Sequence, residues 1–160
     1  MLTNLGITNY VASQWEVRTW SNGRKKRVER IVLPARVFIK TTEEERLRTV
    51  VNLPFIYRFV ADRARKKDQY SCAPAAIVPD KEMDEFRRML GQEDYPVILE
   101  ESHINYSAGD KVRVIAGKLA GMEGTVVQTG GDKRRLYIYF SILGNAFVEI
   151  DKNYLAPISA

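Results

Sequence analysis

A cationic run beside a tryptophan is the most chemically distinctive part of the sequence. Arg24, Lys25, Lys26 and Arg27 follow one another, and Trp20 precedes them by four positions. Guanidinium and ammonium groups neutralise phosphates, and an aromatic ring stacks on unpaired bases. The run therefore predicts a contact with nucleic acid. The alternative is a solvated surface whose charges prevent strands from pairing edge to edge.

A β-hairpin is the element that must position this run. Residues 22 and 23 are Asn-Gly, a strong short-range hairpin signal, because the favoured two-residue turn needs positive φ at both central positions. The predicted arms are residues 16–20 and 28–33. The four cations then lie just past the turn and form the tip of the hairpin.

A glycine-rich loop is the second distinctive pattern, and we refer to residues 117–124 as the glycine loop. It contains Gly117, Gly121 and Gly124. Val112 and Val114 before it alternate with charged residues, and residues 125–127 after it are Thr-Val-Val, so a strand is predicted on either side. Glycine tolerates positive φ and close backbone approach. Leu119 and Met122 are the apolar residues that would hold this loop against the strands it connects.

The composition argues against enzymatic chemistry. Cys72 is the single cysteine and His103 the single histidine. An intrachain disulfide is therefore impossible, and neither a zinc site nor a Cys/His nucleophile pair is readily assembled. The sequence also lacks a phosphate-binding Gly-x-x-x-x-Gly-Lys loop. We expect a protein that is not an enzyme and that needs no cofactor or metal.

Charge is distributed unevenly along the chain. The net charge is +5, and residues 1–91 carry 18 basic and 11 acidic side chains, whereas residues 92–105 carry four acidic and no basic ones. A polyanion is the natural partner for such an excess. No apolar run approaches the roughly 20 residues of a membrane span. The N-terminus lacks a signal-peptide pattern, so we expect a cytoplasmic protein without a membrane partner.

Periodicity and turn signals predict two domains. Residues 1–91 have mixed α+β signals: short apolar strands, a helix capped by Thr42 and a last helix that begins at Asp80. Residues 92–105 are acidic and irregular, as is typical of a linker. Residues 106–160 contain five short strand patterns, which favour a small all-β barrel of the SH3-like kind.

The resemblance to a known family is carried by several segments in a fixed order. Residues 34–39, Pro-Ala-Arg-Val-Phe-Ile, are similar to the Pro-Gly-Tyr-Val-Phe-Val signature of NusG-type transcription elongation factors. Residues 54–60 are similar to that family's Pro-Gly-Val-x-x-Phe-Val strand, and residues 79–83 to the start of its last helix. The C-terminal spacing resembles the KOW motif of elongation factors and ribosomal proteins: Val112, Val114, Gly117, Leu119, Gly121, Gly124 and Val126.

The resemblance covers nearly the whole chain and is strongest to specialised NusG paralogues that act on particular operons, such as those for capsular polysaccharide. It implies an α+β N-terminal domain, an antiparallel sheet with flanking helices, that binds the clamp helices of RNA polymerase. Phe38 and Phe59 would make that contact, with core packing as their alternative role. The cationic hairpin would face DNA of the transcription bubble or nascent RNA. The KOW barrel would bind a ribosomal protein or a termination factor.

Two departures from the family pattern concern the N-terminal domain. Arg36 occupies the position of an aromatic residue that helps to bind polymerase, and Ala35 replaces a glycine. The family's opening strand and most of its first helix have no counterpart, so residues 1–91 look truncated at their start. The rival hypothesis is a ribosome- or RNA-binding KOW protein without a polymerase role, in which a predicted turn at residues 133–135 binds phosphate.

Overall fold

The computed structural model describes residues 1–62, 74–92, 97–100, 109–128, 133–140 and 143–158. These residues form a mostly β structure with two short α-helices. The elements, in chain order, are β1 (Thr8–Tyr10), β2 (Ser13–Thr19), β3 (Lys25–Ile31), β4 (Phe38–Lys40), α1 (Glu43–Arg48), α2 (Asp80–Leu90), β5 (Ile98–Glu100), β6 (Asp110–Val114), β7 (Glu123–Gln128), β8 (Lys133–Phe140), β9 (Gly144–Asp151) and β10 (Leu155–Pro157), with 3-10 turns at Thr3–Leu5, Val50–Asn52 and Lys152–Tyr154.

The chain divides into two compact units, each built from two segments. The first unit comprises Met1–Val11 and Ala35–Val78, and the second comprises Ala12–Pro34 and Pro79–Ala160. The predicted domains 1–91 and 106–160 divide the chain differently. The hairpin β2–β3 and helix α2 group with the C-terminal sheet, because their buried side chains pack within the second unit.

The first unit has a small core. Strands β1 and β4 pair antiparallel, with Asn9 opposite Ile39. A 3-10 turn precedes β1 and ends at Gly6, whose φ of 73° suits a glycine at a helix terminus. The core consists of Leu2, Ile7 and Val50, with Ile39, Leu53, Ile56 and Phe59 packed against it.

Helix α1 begins as the sequence predicts. The Thr42 hydroxyl accepts a hydrogen bond from the Glu45 N–H at 3.2 Å, which satisfies one of the open donors at the helix start. The helix ends at Arg48, and a 3-10 turn at Val50–Asn52 follows it. Of the apolar side chains in and just after this helix, Val50 is buried, whereas Leu47 and Val51 are exposed.

The strand predicted at residues 54–60 does not form. Ile56 N–H donates to the carbonyl oxygen of Leu53 at 3.0 Å, which closes a turn. Ile56 and Phe59 pack against the core, whereas Tyr57 between them is 95% exposed. A spacing of three residues between the side chains that pack on the core suits a turn and is incompatible with the two-residue period of a strand.

The second unit contains a six-stranded antiparallel sheet with the order β10-β6-β7-β8-β9-β5. Leu136, Ile138 and Phe140 alternate along β8 and are buried, whereas β9 is buried at every position from Gly144 to Val148. Helix α2 packs there as well, since the rings of Phe86 and Phe140 meet edge to face with centroids 5.6 Å apart.

Closure of this sheet into the predicted barrel is absent from the described part of the chain, where β10 and β5 are the two edge strands. The predicted linker 92–105 also contributes regular structure. Ile98–Glu100 is strand β5, and it pairs antiparallel with β9. The acidic, proline-containing composition of residues 92–105 did not predict this strand. Strand formation depends on the neighbouring strand as well as on local sequence.

Candidate nucleic-acid interface

Three of the four cations of the run lie within a strand. Seven antiparallel pairs join β2 to β3, from Ser13 opposite Ile31 to Thr19 opposite Lys25. Both strands are longer than the predicted arms, because β2 begins at Ser13 instead of residue 16 and β3 begins at Lys25 instead of residue 28. Arg24 lies in the loop, and the next three cations of the run lie in β3.

The turn at the tip has only one residue with positive φ. Gly23, with φ of 76°, donates its N–H to the carbonyl of Trp20 at 2.9 Å. Trp20 N–H in turn donates to the carbonyl of Arg24 at 2.9 Å. The predicted two-residue turn, with positive φ at both Asn22 and Gly23, is replaced by a longer loop of the type in which glycine alone takes this conformation.

Alternation along the strands sorts the hairpin side chains onto two faces. We call one the open face and the other the docked face. The open face consists of Ser13, Trp15, Val17, Thr19, Lys25, Arg27, Glu29 and Ile31, and the docked face consists of Gln14, Glu16, Arg18, Lys26, Val28 and Arg30. The cationic run is therefore divided, and its members do not form one cluster.

The docked face is held by a buried amide. Gln14 is 1% exposed. Its Nε2 donates to the carbonyl of Gln92 at 2.7 Å, and its Oε1 accepts from the N–H of Val97 at 2.8 Å. Arg30 Nη2 also donates to the carbonyl of Val97, at 2.9 Å. These bonds fix the hairpin to a segment more than 60 residues away along the chain.

A carboxylate neutralises two cations on the docked face. Glu16 accepts hydrogen bonds from Arg18 and from Arg30 Nε, the latter at 3.0 Å. The hydrogen bond from Arg18, followed by that from Arg30, lowers the pKa of Glu16 below its ordinary value, and partial burial opposes the change. Arg18 and Arg30 are thus already paired with an anion.

The open face combines exposed apolar groups with cations. The Arg27 guanidinium lies 4.7 Å from the centre of the Trp15 ring, a cation–π distance. Trp15, Val17 and Ile31 are exposed by 42, 56 and 54%. Glu29 on this face accepts a hydrogen bond from the Ser13 hydroxyl at 2.6 Å.

Trp20 lies apart from this arrangement. It is 57% exposed at the turn, beside a shallow concavity that Arg18, Val28 and Arg30 also line. The sequence interpretation grouped Trp20 with the cations and missed Trp15. The alternation Trp15-x-Val17 was the available signal, since it places an aromatic residue on one face of β2.

Residues 117–122 of the glycine loop connect β6 to β7, and Gly124, which was predicted to lie in the loop, is the second residue of β7 and pairs with Val112. Gly117 and Gly121 have φ of 79° and 86°, a region that side chains disfavour. A Cβ on Gly124 would lie well under 3.0 Å from the carbonyl oxygen of Tyr137 on β8. Leu119 is 2% exposed, so it anchors the loop as predicted.

Helix α2 holds the outer side of this loop. Arg88 Nη2 donates to the carbonyl oxygens of Ala120 at 2.7 Å and Lys118 at 3.3 Å. Val112 and Val114, the strand positions that precede the loop, are buried. The glycine pattern therefore marks a shaped loop that is supported from the sheet and from a helix.

Phe38 and Phe59 both lie in the first unit, and each is half-buried. The Phe38 ring lies 6.2 Å from that of Tyr10 on the paired strand. Phe59 packs against the core, and the Arg46 guanidinium lies 5.0 Å from its ring. Phe38, unlike Phe59, is absent from the side chains packed on that core.

Residues 133–135 belong to strand β8, so the predicted phosphate-binding turn at this position is a strand. The Arg135 guanidinium lies 4.7 Å from the Phe147 ring. Its second neighbour is Glu149, directly opposite on β9, with 3.7 Å between nitrogen and oxygen. Arg135 is therefore engaged with the sheet.

Comparisons with protein-family models, curated proteins and solved structures gave no match. Neither helix in the described residues has the length and apolar character needed to cross a bilayer. Cys72 and His103 lie outside the described residues.

Proposed function

We propose that this protein is a NusG-type transcription elongation or antitermination factor with a C-terminal KOW domain. The observation that carries the proposal is the glycine loop. Its motif positions coincide with two positive-φ glycines, a close backbone approach at Gly124 and a buried Leu119, between paired antiparallel strands. The motif places glycine where the backbone has positive φ or approaches another strand closely. This agreement supports a KOW motif with an SH3-like arrangement of its strands.

The first unit would bind RNA polymerase in the cytoplasm, and Phe38 is the better candidate for the contact. A half-buried ring outside the core cluster can contribute apolar surface to a partner at little cost in stability. Phe59 supports the core, so its loss would act through folding. The hairpin would contact the DNA of the transcription bubble or nascent RNA, and the KOW sheet a ribosomal protein or termination factor.

Affinity capture tests the proposal. The tagged chain should retain core RNA polymerase from a purified mixture that also contains ribosomes. Phe38→Ser should reduce polymerase capture. Tyr57→Ser should not, because Tyr57, an exposed aromatic of the same unit, stands at an unspecified position of the family pattern over residues 54–60. Circular dichroism melting of both variants shows whether folding is retained. Capture of ribosomes without polymerase would refute the polymerase role.

That result would support the second candidate function, a ribosome- or RNA-binding KOW protein. The favouring observation is the basic content of β8, where Arg134 and Arg135 follow Lys133. The engagement of Arg135 with Phe147 and Glu149 weakens this candidate, because its guanidinium would have to leave both neighbours to bind phosphate.

A further inference from the structure

We propose that single-stranded nucleic acid binds along the open face of the hairpin, with a base stacked against Trp15 and phosphates paired with Lys25 and Arg27. This inference deepens the proposed function and rests on it only in taking nucleic acid as the ligand. It assigns the contact to one face of β2–β3 and to a tryptophan outside the cationic run.

The open face presents an uncommon combination of side chains. Three large apolar residues, Trp15, Val17 and Ile31, are exposed by 42–56% on one face of a two-stranded ribbon. Lys25 and Arg27 lie on the same face. The aromatic ring and the two cations on this face are complementary to the bases and phosphates of a nucleic acid, which alternate at short intervals.

The geometry at Trp15 favours an unpaired base. Arg27 lies over the indole at 4.7 Å, so one side of the ring already has a cationic neighbour. Trp15 retains 42% of its surface exposed. Base faces are hidden in a duplex and available in a single strand, where stacking on an aromatic side chain is tolerant of sequence.

The docked face cannot serve equally well. Gln14 is buried, and its amide is bonded to the backbone of Gln92 and Val97, so this end of the docked face is covered. Arg18 and Arg30 share the Glu16 carboxylate. Binding phosphate there would require breaking these pairs. The open face runs along the seven residues of each strand, a length of roughly 23 Å at ~3.3 Å per residue.

Two double variants with the same loss of charge test the assignment. Lys25→Ser with Arg27→Ser removes two cations from the open face, and Arg18→Ser with Lys26→Ser removes two from the docked face. The probe is a labelled deoxythymidine oligomer of about 15 nucleotides, within the range of known single-strand sites, and fluorescence anisotropy is measured at several salt concentrations. The open-face variant should lower the slope of log affinity against log salt by about 1.4, since each phosphate contact to a single strand contributes about 0.7. The docked-face variant should leave the slope unchanged.

Tryptophan fluorescence gives an independent readout, because Trp15 and Trp20 are the two tryptophans of the chain. In Trp20→Phe, the remaining Trp15 should be quenched when the oligomer binds. In Trp15→Phe, the emission of Trp20 should stay constant. Trp15→Ala should weaken binding by about 5- to 160-fold, the range for loss of one stacking aromatic. Should that variant unfold, the Trp20→Phe measurement still decides.

Three results would overturn the inference. Equal loss of slope in both double variants would show binding by net charge without a preferred face. Quenching of Trp20 alone would place the contact at the turn. Failure of the wild-type chain to bind the oligomer while it retains RNA polymerase would remove this site and leave the proposed function standing.

Discussion

Replacing Gln14 by alanine would remove the amide that fixes the hairpin to the rest of the second unit. Gln14 is buried, and its Nε2 and Oε1 bond to the Gln92 carbonyl and the Val97 N–H at 2.7 and 2.8 Å. Val97 is itself buried, so its N–H cannot turn to bulk water. We expect Gln14→Ala to loosen the attachment of β2–β3 to residues 92 and 97.

The magnitude follows from the two backbone groups that lose their partners. Each buried donor or acceptor left unsatisfied costs about 1–3 kcal/mol, which gives about 2–6 kcal/mol for the pair. Water entering the space left by the side chain would satisfy part of this demand. The lower end, about 2 kcal/mol, is therefore the expected loss of local stability.

Amide hydrogen exchange measures this loss where it occurs. A decrease of about 2 kcal/mol corresponds to exchange of the Val97 amide that is roughly 30-fold faster. Ser13→Ala is the matched control, because Ser13 precedes Gln14 in the same strand and its hydroxyl bonds to exposed Glu29 on the open face. That control should change stability by less than about 0.5 kcal/mol.

An unchanged exchange rate at Val97 in Gln14→Ala would refute this reasoning. The amide would then contribute nothing to docking, and residues 92–105 would behave as the linker that their composition indicates. Equal acceleration in the Ser13→Ala control would point instead to general loosening of the hairpin.

The remaining predictions concern the glycine loop, one strained backbone position and one carboxylate. Gly124→Ala should destabilise by about 1–3 kcal/mol in urea denaturation, because the new methyl group overpacks against the Tyr137 carbonyl. Gly121→Ala should lose a smaller amount, about 1 kcal/mol, from φ of 86° alone; a gain in stability for both variants would contradict the loop geometry. Ala35→Gly should stabilise by about 0.5 kcal/mol, because φ of 59° is costly for alanine and open to glycine, and a lower melting temperature would count against this. The pKa of Glu16 is lower in the folded state than its ordinary value of 4.5. The ionised carboxylate therefore stabilises the fold at pH above 4.5, and this stability disappears as pH falls through the folded-state pKa. The melting temperatures of wild type and Glu16→Gln should converge in acid, and a constant difference would argue against the ion pairs.

Features encoded by neighbouring residues were predictable from sequence. The hairpin at residues 22–23 and the Thr42 cap depend on one or two residues with restricted backbone or side-chain geometry. The glycine loop belongs to the same class, since positive φ at residues 117 and 121 is a local demand. The pattern and the structure agree on the presence of the hairpin, the cap and the positive-φ glycines, whereas the predicted turn type is wrong, because Gly23 has positive φ and Asn22 does not.

Features set by distant contacts were not predictable in this way. The docked face exists because Gln14 bonds to residues that lie 78 and 83 positions further along the chain, and no local pattern marks that pairing. The failure at residues 54–60 has the same origin, since the positions of Ile56 and Phe59 follow the core of Leu2, Ile7 and Val50. An apolar run alone cannot distinguish a strand from a turn that packs every third residue.

Contacts made by the docked face stabilise the hairpin that presents the open face. An isolated two-stranded hairpin is marginally stable in water, so a binding surface on such an element needs support from elsewhere. The docked face supplies it through Gln14 and Arg30, which bond to the backbone at residues 92 and 97. The side chains that give the hairpin rigidity thus alternate with those that we propose to bind nucleic acid. Because the period of a strand is two, a single element can carry both sets without either occupying the positions of the other.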